Sequence, residues 1–235
     1  MIFNINQGVF GGPLRNGDLV GVCNVIEFLR KTYPTTKFYM QEGSINSADH
    51  SQKFFKFLVE NTNYFSLVKG ETSLNWNKVN LWDFRDISGD LVKIPNTRQM
   101  KKKIVIFPLF DAPYNVYRNW PIHIFLEILK SYSTDYIDYE KIICISDINL
   151  LNGIDIPIEF SISTNFIENI YHIMDSEIFI GGDTGTSHFA SALDRSPKET
   201  IFYYSSRGLL HTTPFYSLAK GNIKTYWLNC EGTTF

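Results

Sequence analysis

The sequence predicts an α/β protein made of two parallel-sheet units, the N-terminal one reduced. Three observations carry this expectation. Short apolar runs alternate with segments of helical apolar spacing in both halves of the chain, the pattern of strand–helix–strand crossovers. Ile104-Val105-Ile106-Phe107 and Ile178-Phe179-Ile180 are apolar without alternation, as strands are when both faces of a parallel sheet are covered. Between the halves lies Pro95–Lys103, a polar stretch with a proline and the cations Arg98, Lys101, Lys102 and Lys103, which reads as a linker. The expected units are residues 1–97 and 98–235, facing a cleft, with ligands held outside the carboxyl ends of the strands.

In chain order, Ile2–Asn6 reads as a first strand running into the glycine-rich loop Gly8–Pro13. Asp18 caps a helix whose apolar Val22, Val25, Ile26 and Leu29 recur at helical spacing through Tyr33. Pro34 ends it, because the residue before a proline avoids helical backbone. Lys37–Met40 is a strand, Gln52–Asn61 a helix with Phe54, Phe55, Phe57 and Leu58 as its apolar face, and Val79–Phe84 a further strand. In the second half, strands are expected at Ile104–Phe107, Lys141–Ser146, Glu177–Ile180, Glu199–Tyr204 and Ile223–Leu228. Helices are expected at Pro121–Tyr132, Asn165–Met174 (capped near Ser163 or Thr164) and Thr186–Leu193. The proline at 121 fits a first helical turn, where its missing N–H does no harm.

Composition narrows the class. Of 235 residues, 44% are hydrophobic and 20% charged, ordinary for a globular chain. The nineteen Phe and thirteen Tyr fill a core without a disulfide scaffold. Cys23, Cys144 and Cys230 have no zinc spacing, and the first two lie in apolar runs; a reducing compartment is expected. No apolar run is long enough to span a membrane, and the first residues lack the features of a signal peptide, so the expected location is the cytoplasm. The net charge of −2 neither demands nor excludes a polyanionic partner.

Three local constellations point to chemistry. In Gly181-Gly182-Asp183-Thr184-Gly185-Thr186 an apolar strand runs into small residues that open a helix. Glycines permit close backbone approach to a ligand, and free N–H groups at a helix start favour an anion. On pattern alone this phosphate cradle and a plain capped turn have equal weight. His188 follows in the first helical turn, either facing the same pocket or serving as a hydrogen-bonded structural residue. In Arg118-Asn119-Trp120-Pro121 the cation reaches a phosphate in the cleft, or is a solvated arginine beside an aromatic helix anchor. Gly17-Asp18 offers a carboxylate as general base, or simply a helix cap.

Together these blocks resemble the heptosyltransferase-like glycosyltransferases, inverting enzymes of the GT-B fold with two Rossmann-like units. Asp18 with the helix through Leu29, Tyr33-Pro34 and Phe38 looks like the family's opening. Arg118-Asn119-Trp120-Pro121 with Phe125 and Leu129 looks like its Lys/Arg-x-Trp-Pro block. Asp183-Thr184-Gly185-Thr186-Ser187-His188 looks like its Asp-Ser/Thr-Gly-x-x-His block, the most specific of the three. The likeness is concentrated in residues 104–205. It implies that Asp18 deprotonates an acceptor hydroxyl and that Arg118 contacts the donor phosphates. Asp183, Thr184, Gly185 and Thr186 would hold the diphosphate, with His188 supporting that loop or touching the donor. It implies no metal and no cofactor, the nucleotide-diphosphate sugar being a co-substrate. Gly11, Gly12 and Arg15 fall on the acceptor side. The chain departs from the family in an N-terminal unit of only about 100 residues, small for a domain, in arginine rather than lysine at 118, and in the inserted Gly11-Gly12-Pro13.

Two acceptors are compatible with this: a saccharide of a lipopolysaccharide or other surface glycan, and a hydroxymethylated base such as hydroxymethylcytosine in phage DNA. Compact size and a chain rich in Asn, Ile, Lys and Tyr suit a phage enzyme acting in an infected bacterial cytoplasm. Arg98–Lys103 would then face the phosphate backbone, although a solvated linker has the same composition. The reading leans to DNA. A non-catalytic nucleotide-sugar-binding module is disfavoured by the joint presence of Asp18, Arg118 and Asp183–His188. A dinucleotide-dependent oxidoreductase lacks its glycine fingerprint. His123, His172 and His211 have no assigned role.

Overall fold

Both halves of the chain build parallel sheets. The computed structural model describes residues 2–4, 13–35, 37–41, 44–64, 66–68, 77–78, 93–111, 118–182, 184–197, 199–205 and 223–228. The chain divides into two compact units, Met1–Pro95 with Ala192–Asp194, and Asn96–Ser191 with Arg195–Phe235. No helix among the described residues is long and apolar enough to cross a membrane.

The first unit holds strands β1 (Ile2–Asn4), β2 (Lys37–Gln41), β3 (Ser66–Val68) and β4 (Asn77–Lys78), in the order β3-β2-β1-β4, all parallel. Helix α1 (Asn16–Thr32) buries Leu19, Val22, Cys23, Ile26 and Leu29, a stripe at helical spacing. Arg15 has extended backbone and is the residue from which the helix starts. Asp18 is therefore not the cap that the sequence suggested. It sits inside the first turn, where its carboxylate accepts the Arg15 N–H at 3.0 Å, the acidic half of a capping box. At the other end Tyr33 N–H still reaches the Leu29 carbonyl at 2.7 Å, and Pro34 follows. Helix α2 (Asp49–Asn61) buries Phe54, Phe55, Phe57 and Leu58. It begins three residues before the expected Gln52 because Asn46 accepts the Ala48 N–H at 2.9 Å and organises the entry. The strand expected at Val79–Phe84 lies outside the described residues.

The second unit holds β5 (Lys101–Phe107), β6 (Glu140–Cys144), β7 (Phe160–Ser163), β8 (Ser176–Gly182), β9 (Glu199–Ser205) and β10 (Ile223–Leu228). Their order is β10-β9-β8-β5-β6-β7, all parallel. Helices α3 (Ile122–Asp135), α4 (Phe166–Asp175) and α5 (Gly185–Ala192) connect them. Ile104, Ile106, Ile143, Ile178 and Ile180 pack with Trp120, Phe125 and Leu129 in one core, each such side chain contributing roughly 2 kcal/mol of burial. Helix α4 is capped by Asn165, whose carboxamide oxygen accepts from Ile167 N–H at 3.1 Å, rather than by Ser163 or Thr164. Ser163 is still in strand β7, so its backbone serves the sheet.

The stretch expected as a linker is corrected. Lys101, Lys102 and Lys103 open strand β5, and the Lys103 side chain is only 4% exposed. Arg98 grips Asp175 through two parallel hydrogen bonds of 2.5 and 2.9 Å, and its guanidinium lies over the Tyr171 ring at 4.8 Å. Lys103 Nζ stands 3.8 Å from Asp175, 3.4 Å from Glu140 and 3.2 Å from His172 Nδ1. Lys101 stands 3.9 Å from the same aspartate. Three of the four cations thus converge on one buried carboxylate. Burial alone would raise the Asp175 pKa; the Arg98 hydrogen bonds and the charges of Arg98, Lys103 and Lys101 outweigh it and hold the pKa below the ordinary value. Burial, then Lys103, push His172 down, so the ring is a neutral acceptor for the lysine.

Because the folded pKa of Asp175 is depressed, its contribution is present above the unfolded carboxylate value and is lost as pH falls through the folded one. Asp175→Asn removes the counter-charge of Arg98 and one of the two carboxylates beside the buried Lys103, Glu140 being the other. Urea denaturation near neutral pH is expected to show a loss of about 3 kcal/mol. The gap between variant and wild type should shrink below about pH 4. A gap that is unchanged in acid would show that the charge of Asp175 is not what stabilises the fold.

Candidate functional site

The strand order of the second unit reverses between β5 and β8. From β5 the chain moves outward to β6 and β7, and from β8 outward in the other direction to β9 and β10. The crevice at such a reversal, beyond the carboxyl ends of the strands, is where open α/β sheets hold ligands. The segments leaving β5 and β8 there contain Arg118 and Thr184–His188.

After β5, the loop returns so that Trp120 N–H donates to the Leu109 carbonyl at 2.7 Å. Trp120 is buried and lies against Phe125 with ring centroids 6.5 Å apart. Its indole Nε1 is 2.8 Å from where a Gly182 side chain would begin. At Gly181 the corresponding position is 2.6 Å from Ser187 Oγ and 2.7 Å from the Phe179 ring. These two glycines were expected to let a ligand approach the backbone. They instead make room for Trp120, Ser187 and Phe179 of the protein itself.

After β8, Thr184 N–H donates to the Gly182 carbonyl at 2.9 Å. The Thr184 carbonyl accepts from Ser187 N–H at 3.1 Å and from His188 N–H at 3.3 Å. Its hydroxyl lies 2.7 Å from that of Thr186. Thr184 therefore does the work of a helix cap. Among the described residues no hydrogen bond involves the Gly185 or Thr186 N–H, which as the first two amides of α5 have no partner within the helix. Gly185 is half-buried, whereas Thr186 and Ser187 are buried.

Arg118 acts on His188 through its charge. The pKa of His188 is pushed down to about 4, first by burial and then by the positive charge of Arg118. The imidazole is consequently neutral at physiological pH and presents one N–H donor. Asp18 and Arg15 belong to the first unit, at the start of α1, and Arg15 is exposed. Gly11, Gly12, Asp183, His211 and Cys230 lie outside the described residues. His123 is exposed on α3, and His172 is engaged by Lys103. Sequence reasoning missed Ser187 and the contact of Trp120 with Gly182. The signal was a pair of glycines at a strand end, which require large or polar neighbours in their place.

A histidine-detected NMR titration should find His188 neutral from about pH 8 to pH 5 and protonating near pH 4. In Arg118→Gln its pKa is expected to rise but to stay below 6.5, because burial is the larger cause. A wild-type value at or above 6.5 would show that the surroundings of this half-buried residue do not disfavour its charged form.

No protein-family model matches the sequence, and no curated protein matches it. Solved structures do. The E. coli ADP-heptose LPS heptosyltransferase II is 12% identical, with 97% of this chain and 91% of that chain covered and a TM-score of 0.59. The E. coli heptosyltransferase WaaC with ADP is also 12% identical, over 97% and 91% of the two chains, with a TM-score of 0.52. At this identity the likeness is one of architecture: the chain has a GT-B-like α/β fold, similar to that of these two heptosyltransferases.

Proposed function

We propose that the chain is a glycosyltransferase that moves a sugar, with inversion and without a metal ion, from a nucleotide-diphosphate sugar to an acceptor hydroxyl. The observation that carries this is the strand-order reversal between β5 and β8, from which the segments bearing Arg118 and the start of α5 both leave; the charge of Arg118 acting on His188 agrees with it. A cation and two amides that have no partner among the described residues suit a diphosphate. The fold likeness to two heptosyltransferases, one named for ADP-heptose and one described with ADP, supports the same donor class.

The reaction is a single displacement. Asp18 takes the proton of the acceptor hydroxyl, the oxygen bonds to the anomeric carbon, and the bond from that carbon to the diphosphate breaks. Arg118, the Gly185 and Thr186 amides and the Thr186 hydroxyl stabilise the charge that develops on the leaving diphosphate, a preorganised electrostatic effect. Asp183 belongs to the same donor block. His188, neutral, supports the loop or donates one hydrogen bond to the donor. Gly11, Gly12 and Arg15 are assigned to the acceptor side. We take the acceptor to be a glycan hydroxyl, as the LPS of one neighbour's name suggests. The alternative in hydroxymethylated phage DNA drew on Arg98–Lys103, and Arg98, Lys101 and Lys103 are engaged by Asp175.

Release of nucleoside diphosphate from ADP-, UDP-, GDP- and CDP-sugars, with glycan and hydroxymethylated-DNA acceptors, tests the reading. Binding without release from any pair would favour a non-catalytic sugar-nucleotide module. Arg118→Ala is expected to weaken ADP binding by about tenfold to a hundredfold, the loss of one charged hydrogen-bond partner; calorimetry showing wild-type affinity would remove Arg118 from the donor site. Asp18→Asn keeps an oxygen for the Arg15 N–H, so α1 should remain intact. Its turnover is expected to fall by about a hundredfold or more, and unchanged turnover would show that Asp18 is not the base.

A further inference from the structure

Ser187 is fully buried and so cannot touch a ligand, yet its contacts bridge the whole turn. Its hydroxyl donates to the Gly182 carbonyl at 2.5 Å, the same oxygen that accepts the Thr184 N–H at 2.9 Å. Its own N–H donates to the Thr184 carbonyl at 3.1 Å and lies 3.4 Å from the Thr184 hydroxyl. The side chain occupies the space left by the missing side chain of Gly181. Gly182 in turn rests on Trp120, two residues from Arg118. The hydroxyl thus joins the first turn of α5 to the end of β8, and the packing of Gly182 on Trp120 joins the end of β8 to the segment that bears the arginine.

Resting on the donor reading above, we propose that Ser187 is a positioning residue. Its hydrogen bond to the Gly182 carbonyl sets the Gly185 and Thr186 amides at the height of the distal phosphate of a nucleoside diphosphate. A carbonyl already held by Thr184 N–H leaves the turn closed when the serine hydroxyl is lost, so the variant relaxes rather than opens. What changes is the angle at which the helix start meets the phosphate, and charge-assisted hydrogen bonds weaken with misalignment. A nucleoside monophosphate, lacking the distal group, is insensitive to that angle.

The test is calorimetric binding of ADP and of AMP to the full chain, wild type and Ser187→Ala, with UDP, GDP and CDP and their monophosphates in reserve. The preference for diphosphate over monophosphate is expected to fall by about tenfold, as for one charged hydrogen bond made poorly, while monophosphate affinity stays within about twofold. A general loosening of the fold would weaken both nucleotides alike, and that result, or an unchanged preference, overturns the proposal. Should Ser187→Ala not fold, Ser187→Cys fills the space with a weak donor and is expected to lose about threefold of the preference; full retention again overturns it. Wild-type protein that binds none of the four diphosphates overturns the donor reading and this inference together. Binding by the wild type with an unaltered preference in the variants overturns this inference alone.

Discussion

The pairing of β5 with β8 is the constraint on which the rest of the second unit depends. Ile104, Val105, Ile106 and Phe107 stand beside Ile178, Phe179, Ile180 and Gly181, and the chain leaves this pair in opposite directions along the sheet. Crossovers of the same hand that run in opposite directions, here from β5 to β6 and from β8 to β9, lie on opposite faces of the sheet. Their opening segments part at the strand ends, and the crevice is a topological necessity. What fills it is decided by Trp120 and by the small residues that end β8.

The charge in that crevice is set as much by what is kept neutral as by what is charged. A protonated His188 would add a second positive charge to that of Arg118. Burial and the arginine itself prevent this. Of these two residues, the charge that remains is the Arg118 guanidinium, together with the partial charges of a short helix. Such fixed dipoles are worth a fraction of a kcal/mol at an exposed surface and more where water is excluded. An arrangement of this kind holds the same charge across the physiological pH range, unlike one that relies on an imidazolium.

The continuous apolar strands were legible because Ile104–Phe107 and Ile178–Ile180 need only composition to declare burial on both faces. Strand β7 was not: Phe160–Ser163 ends its sheet, only Phe160 is buried, and no strand was expected there. The cations of residues 98–103 were misjudged because their partner, Asp175, is more than seventy positions away, and a run of charge carries no record of distant counter-charges. Asp18 was placed at the wrong position in its turn since either end of a capping box is satisfied by an acidic side chain. The glycines were recognised as structurally special, but the residues that take their space come from elsewhere in the chain and in the helix that follows. Arg118 and the Thr184–His188 block were found as separate segments; only the strand order shows why they are neighbours.

The contact between Gly182 and Trp120 has a consequence for how this sequence can drift. With indole Nε1 only 2.8 Å from the vacant Cβ position, volume added at 182 must be removed at 120, and a smaller residue at 120 leaves a void in the core beside Phe125. Neither position is free to vary alone. Sixty-two residues apart in sequence, they form a single unit of inheritance, in which a viable change is a paired exchange or no change.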